Sequence, residues 1–145
     1  MTDSATLDLM VAEWACERLI NRFAQYNDQN DHDAIAGLFV EEGCFSRPLM
    51  PDDYQEGREA IRALFRDRQR RLGRHLVTSI VIDVTSPTTA RGRSYLIYMS
   101  NADGSAPVPA QADPGVMVCQ FDDEFVLTPE GWRFKLRRGS LILKS

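Results

Sequence analysis

The change of texture at Gly73 constrains this 145-residue chain more than any other feature. Beyond it, β-branched residues and apolar/polar alternation mark strands over residues 75–85, 89–100, 116–127 and 132–143. Ser86-Pro87-Thr88 and Thr128-Pro129-Glu130-Gly131 are turns, and a Pro-, Ala- and Gly-rich loop fills 101–115. Consecutive strands with such connections make an antiparallel meander. Ahead of Gly73 the spacing is helical. Leu7, Val11, Ala15, Leu19 and Phe23 recur every fourth residue beside Ala12, Cys16, Ile20 and Ala24, which predicts a helix over 7–28 with a wide apolar face. A second helix fits 31–40, with Asp31 as its cap, Ile35, Leu38 and Phe39 inward and Gly43 shortly after its end. Cys44-Phe45-Ser46 is a short strand ended by Pro48 and Pro51. A third helix is expected over 57–72, with Ile61, Leu64, Phe65 and Leu72 inward and Arg58, Arg62, Arg66 and Arg70 in an outward row. This order predicts an α+β fold.

The length fits one domain spanning residues 1–145, without internal repeat or linker. Folding at this size hides roughly 68–70% of the chain's surface, enough for a core with volume left for a pocket. The net charge of −4 is unevenly spread. Residues 1–56 carry 12 acidic and 3 basic side chains, whereas 58–74 carry 7 basic and 2 acidic. The balance argues against nonspecific nucleic-acid binding, and an arginine row on an amphipathic helix reads as a solvated face partly paired with acidic neighbours. Cys16, Cys44 and Cys119 are too few and too scattered for a disulfide scaffold or structural zinc. Met1-Thr2-Asp3-Ser4-Ala5-Thr6 lacks the basic and apolar regions of a signal peptide, and no apolar run nears the roughly 20 residues of a membrane span. The expectation is a cytoplasmic protein without a membrane partner. Gly-rich phosphate loops, G-x-S-x-G, H-E-x-x-H and EF-hand patterns are missing, so catalysis is expected to use side chains alone, with no cofactor.

Asp28 follows Ile20 and Ala24 at helical spacing, which projects its carboxylate toward the core, where it needs a partner. The alternative is that the helix frays at Asn27 and Asp28 turns the chain before Asp31. His75, in Arg74-His75-Leu76-Val77, is the natural partner. A histidine exchanges protons near neutrality, and a carboxylate on its second nitrogen fixes its tautomer and orientation. A histidine at a strand end also serves as an ordinary hydrogen-bonded rim residue. His32, between Asp31 and Asp33, joins a metal site only if it meets His75, and otherwise is solvated; no dedicated metal site is expected. On the last strand Arg138 shares the phase of Trp132, Phe134 and Leu136 and is expected to face inward, to bind an anion, or to snorkel at the edge. Tyr54 is a candidate hydroxyl donor, and only one of Tyr95 and Tyr98 can point in. Val118 is a candidate pocket wall.

Several short motifs in order resemble the SnoaL-like branch of the nuclear transport factor 2 superfamily, which includes scytalone dehydratase. They are Ile20-Asn21-Arg22-Phe23 leading to Asp28-x-x-Asp31, Leu38-Phe39 before Gly43, and Gly57-Arg58-Glu59-Ala60-Ile61. Arg74-His75 and Gly131-Trp132-Arg133-Phe134 complete the set, which covers nearly the whole chain. The resemblance implies a cystatin-like roll: a curved, mainly antiparallel mixed sheet wrapped around the long N-terminal helix, with two further helices, forming a cone with an internal pocket. It matches Asp28 and His75 to the Asp–His pair of family dehydratases, His as base and Asp as its orienter. Asn27 and Phe45 stand where scytalone dehydratase has paired tyrosines, which argues against scytalone as substrate. The implied activity is a cofactor-independent lyase, a dehydratase acting on a small hydrophobic or cyclic substrate, with Tyr54, Arg138 and Val118 beside it. The alternatives are a ketosteroid isomerase- or polyketide cyclase-type enzyme, a ligand-binding module, or a protein like the small subunits of ring-hydroxylating dioxygenases. A homodimer through the uncovered sheet face, or a higher homo-oligomer, is expected.

Overall fold

A computed structural model describes residues 3–145; residues 1 and 2, part of the opening hexapeptide read for a leader, lie outside it. Helix α1 (Ser4–Asp28) starts earlier than the apolar spacing indicates, because Asp3 caps it by accepting a hydrogen bond from the Thr6 amide at 2.7 Å. Its buried row is Ala12, Cys16, Leu19, Ile20, Phe23 and Ala24. Among the described residues, no helix is long and apolar enough to cross a membrane.

Helix α2 (His32–Gly37), capped by Asp31, is shorter than expected, since Phe39 and Val40 already belong to β1 (Phe39–Arg47). The Phe134 amide holds the junction by donating to the Leu38 carbonyl at 2.8 Å. A hairpin then leads into β2 (Met50–Glu56), a second strand beyond the expected Cys44–Ser46 one, with Pro48 in the turn and Pro51 within β2. Proline is tolerated there because β2 is an edge strand, with one side of its backbone free of ladder partners. Helix α3 (Arg58–Asp67) ends five residues before Leu72. At Arg68 the chain turns extended, and the Arg68 guanidinium reaches back to the end of α1. Arg70 therefore does not continue the outward arginine row. Within it, Arg62 pairs with Asp33 of α2 at 2.9 Å and Arg58 donates to the Phe39 carbonyl at 2.7 Å.

The meander follows as β3 (Leu72–Ser86), β4 (Thr89–Asn101), β5 (Met117–Thr128) and β6 (Gly131–Lys144). The six-stranded sheet has the order β2-β1-β6-β5-β4-β3; β1 runs parallel to β6 and every other neighbour is antiparallel. Gly139 on β6 is glycine for want of space: a Cβ there would meet the Pro48 nitrogen at 2.5 Å, where the β1–β2 turn passes.

Two bulges decide which side chains face the helices. Ser79, with φ of 54°, interrupts the β3–β4 register, so Val77, Ile80, Ile82 and Val84 all face inward. On β6 the register slips between the Glu124–Leu136 and Phe125–Phe134 pairs, leaving Lys135 as the extra residue. The phase set by Trp132 and Phe134 therefore passes to Arg137, and the expectation that Arg138 faces inward is corrected: Arg138 points away from the core. The interior between helices and sheet is filled by Phe23, Phe39, Phe45, Phe121 and Phe134 in edge and tilted contacts, with ring centroids 5.1–6.3 Å apart.

Candidate active site

Asp28 is the last residue of α1, and Asp31, not Asp28, performs the capping. That leaves the Asp28 carboxylate free to turn to β3, where His75 stands opposite Tyr98 of β4. Asp28 Oδ1 lies 2.6 Å from His75 Nδ1, and Oδ2 accepts from the His75 backbone amide at 3.2 Å. One residue thus satisfies both carboxylate oxygens. The two side chains are 12% and 17% exposed, so the contact is largely shielded from water yet still reachable. The Tyr98 ring stacks on the imidazole at 4.2 Å between centroids, fixing its plane. With Nδ1–H donated to Asp28, Nε2 is an acceptor, and Asn27 Nδ2 faces it at 3.4 Å.

The hollow beside the pair holds about 40 Å³ and is lined by Asn27, Asp28, Asn30, Arg68, His75 and Tyr98 among others. At that volume it has room for one functional group rather than a ring. The segment after α3 forms its rim: Arg71 donates to the Ser100 hydroxyl at 3.0 Å and approaches Asp113 at 3.5 Å. Arg68 donates to the Asn27 carbonyl at 2.9 Å and Asn30 Oδ1 at 3.1 Å, and its guanidinium lies over the Phe65 ring. Burial pulls the Arg68 guanidinium below its ordinary pKa, offset in part by Tyr98 and Asp28.

The other candidates lie elsewhere. Val118 pairs with Ile97 and Leu143 on the sheet face turned from the helices. Tyr54 is exposed on β2, and Arg138 reaches Asp52 at 3.2 Å, so the structure brings neither to the dyad. Of the two β4 tyrosines, Tyr98 points in and Tyr95 out. His32 contacts Asp33 at 3.2 Å. Among the described residues, no three His, Cys, Asp or Glu side chains gather closely enough to hold a metal ion. The cysteines are free, and burial pushes the Cys16 thiol up to about 12, so its nucleophilic thiolate is suppressed.

Two features escape the linear reading. Arg68 looks like one more member of an arginine-rich helix, and only the helix end at Asp67 turns it toward the dyad. Arg137 becomes the buried arginine through the Lys135 bulge. It lies 3.4 Å from Asp123, with Phe23, Phe121 and Phe134 rings around its guanidinium. A larger hollow of about 780 Å³ lies by the start of α1, walled by Leu9, Ala12, Val84, Pro87, Leu127 and Trp132.

Residues 10–138 match the model of the SnoaL-like domain. The chain superposes with a TM-score of 0.80 on a candidate scytalone dehydratase from Novosphingobium aromaticivorans DSM 12444, at 25% identity, covering 97% of this chain and 90% of that one. An NTF2-like protein with a cystatin-like fold from Novosphingobium aromaticivorans gives 0.75 at 23% identity over 98% and 92%. The hexachlorocyclohexane dehydrochlorinase LinA-type3 from Novosphingobium barchaimii LL02 gives 0.79 at 14% identity over 96% and 92%. The latter two likenesses establish the shared roll. No curated protein matches the sequence.

Proposed function

The chain belongs to the SnoaL-like domain family, and from that premise we propose that it is a small acid–base lyase of the dehydratase type. In this reading His75 takes a proton from an activated carbon of a small cyclic molecule. The observation that carries it is the 2.6 Å contact between Asp28 Oδ1 and His75 Nδ1 beside a reachable hollow. Asp28 holds the tautomer in which Nδ1 bears the hydrogen, so the Nε2 lone pair is the base. The long contact from Asn27 is weak and readily exchanged for substrate. As the C–H bond breaks, its electron pair expels the leaving group on the neighbouring carbon. A departing hydroxyl takes the proton back from the imidazolium and leaves as water, which restores neutral His75. The proton balance closes on the chain's own side chains, so the reading needs no cofactor. The similarity to a candidate scytalone dehydratase and the roll shared with a dehydrochlorinase support elimination over the isomerase alternative. A ketosteroid isomerase uses a free Asp base, whereas both oxygens of Asp28 are engaged by His75.

Incubating the protein in D2O with cyclic β-hydroxy and β-halo ketones, and following the α-protons by NMR, tests the reading. The wild type is expected to eliminate or exchange at the α-carbon, and His75→Ala is not. Equal exchange by both proteins overturns the proposal.

The packed interior and the apolar hollow near α1 favour a second reading, a ligand-binding module. There, binding of an apolar ligand would be indifferent to His75→Ala. A homodimer through the uncovered sheet face belongs to either reading, supported by the exposure of Leu76, Tyr95, Ile97, Met99 and Leu143.

A further inference from the structure

We propose that Arg68 and Tyr98 form an anion subsite beside His75, and that the substrate places a carboxylate there. This rests on the acid–base reading and names the substrate class: small carboxylic acids rather than purely apolar rings.

Arg68 is a half-buried cation without a direct counterion. Among the described residues, no carboxylate oxygen lies within 4.0 Å of its guanidinium, and the nearby Asp28 has both oxygens on His75. Its hydrogen bonds to Asn27 and Asn30 run through Nη2, which leaves Nε and Nη1 as donors. The Phe65 face fixes the plane of the group, with 4.9 Å from Cζ to the ring centroid. A planar guanidinium held in this way is suited to a planar carboxylate.

The second donor is the Tyr98 hydroxyl. Stacking on His75 holds the ring, and Gly73 makes room for its end: a Cβ at Gly73 would lie 2.6 Å from the Tyr98 hydroxyl oxygen. Arg68, Tyr98 and His75 all line the hollow of about 40 Å³. One water occupies roughly 30 Å³ of liquid volume, so the space suits a carboxylate head and not the body of a ring. An anion held there also stabilises the imidazolium that forms when Nε2 takes a proton.

Acetate is the probe, and the two histidines make the readout selective. With 13C-labelled histidine and ionic strength held constant with chloride, acetate is expected to shift the His75 ring resonances saturably and leave those of His32 unmoved. Acetamide, equal in shape and uncharged, is expected to shift neither. Arg68→Gln should weaken acetate binding by about tenfold or more, Arg68→Lys should retain part of it, and Tyr98→Phe should weaken it while keeping the stack. Because Arg68 also ties the end of α1, the Lys and Phe variants decide the matter if Arg68→Gln does not fold. A nonsaturable response, equal shifts of both histidines, acetamide matching acetate, or unchanged affinity in the folded variants overturns the subsite. Acetate binding is read without turnover, so the subsite can fail while His75-dependent exchange survives, and the reverse.

Discussion

His75→Ala is expected to lower turnover by about 10²–10⁴-fold, the usual contribution of a positioned general base. The fold should survive, because the backbone amide of residue 75 still donates to Asp28 Oδ2 as it does at 3.2 Å. Asp28→Asn is expected to cause a loss of the same order through a different cause. The amide can present N–H to Nδ1, which places the hydrogen on Nε2 and blocks the atom that takes the substrate proton. Steady-state kinetics beside thermal melts separates these effects from unfolding. Activity retained by His75→Ala contradicts the base assignment; activity retained by Asp28→Asn alone contradicts the positioning role of the carboxylate.

The largest expected stability effect lies in the core. Asp123 and Arg137 are 0% and 1% exposed and meet through one contact of 3.4 Å. Above pH 7, where the Asp123 carboxyl is ionised in the fold, Asp123→Leu strands a guanidinium that cannot shed its charge, and a loss of about 3–5 kcal/mol is expected. Arg137→Met should cost less, since the stranded carboxyl can take up a proton. The double variant Asp123→Leu with Arg137→Met should recover much of the loss, because an apolar pair among Phe23, Phe121 and Phe134 needs no counterion. The pair also has a pH signature. Burial pushes the Asp123 carboxyl up from 3.8 to about 7, against the pull of Arg137. Between about pH 4 and 7 the folded state holds a proton that the unfolded state has released, so this group's contribution falls as pH rises and levels off above 7. Urea titrations should show that decline in the wild type and its loss in the double variant. Equal stability of Asp123→Leu and wild type would contradict the account.

The elements most legible in the sequence were those with the strongest periodicity. The four-residue repeat of α1 and the alternation beyond Gly73 define the helix and the meander to within three residues at each end. The short elements were harder, because tertiary contacts set them: β1 extends to Phe39 by pairing with Phe134, and α3 stops where Arg68 bonds to the end of α1. Strand β2 was hidden by Pro51, which only an edge position accommodates. The core-facing helical row asked for a partner to Asp28 but left a frayed helix end as the alternative; it was the match to the family's Asp–His pair that pointed to His75. Arg138 was misread for a local reason. One extra residue at Lys135 reverses the two-residue period beyond it, and a bulge leaves no mark in composition. Nor does spacing show how far seven phenylalanines fill an interior, since packing depends on which rings converge.

The most direct test of the base assignment is 15N NMR of the His75 imidazole at a pH where the ring is neutral. A protonated Nδ1, its hydrogen strongly deshielded by Asp28, and an unprotonated Nε2 are expected. A ring carrying its hydrogen on Nε2 would have no lone pair for the substrate proton and would contradict the account.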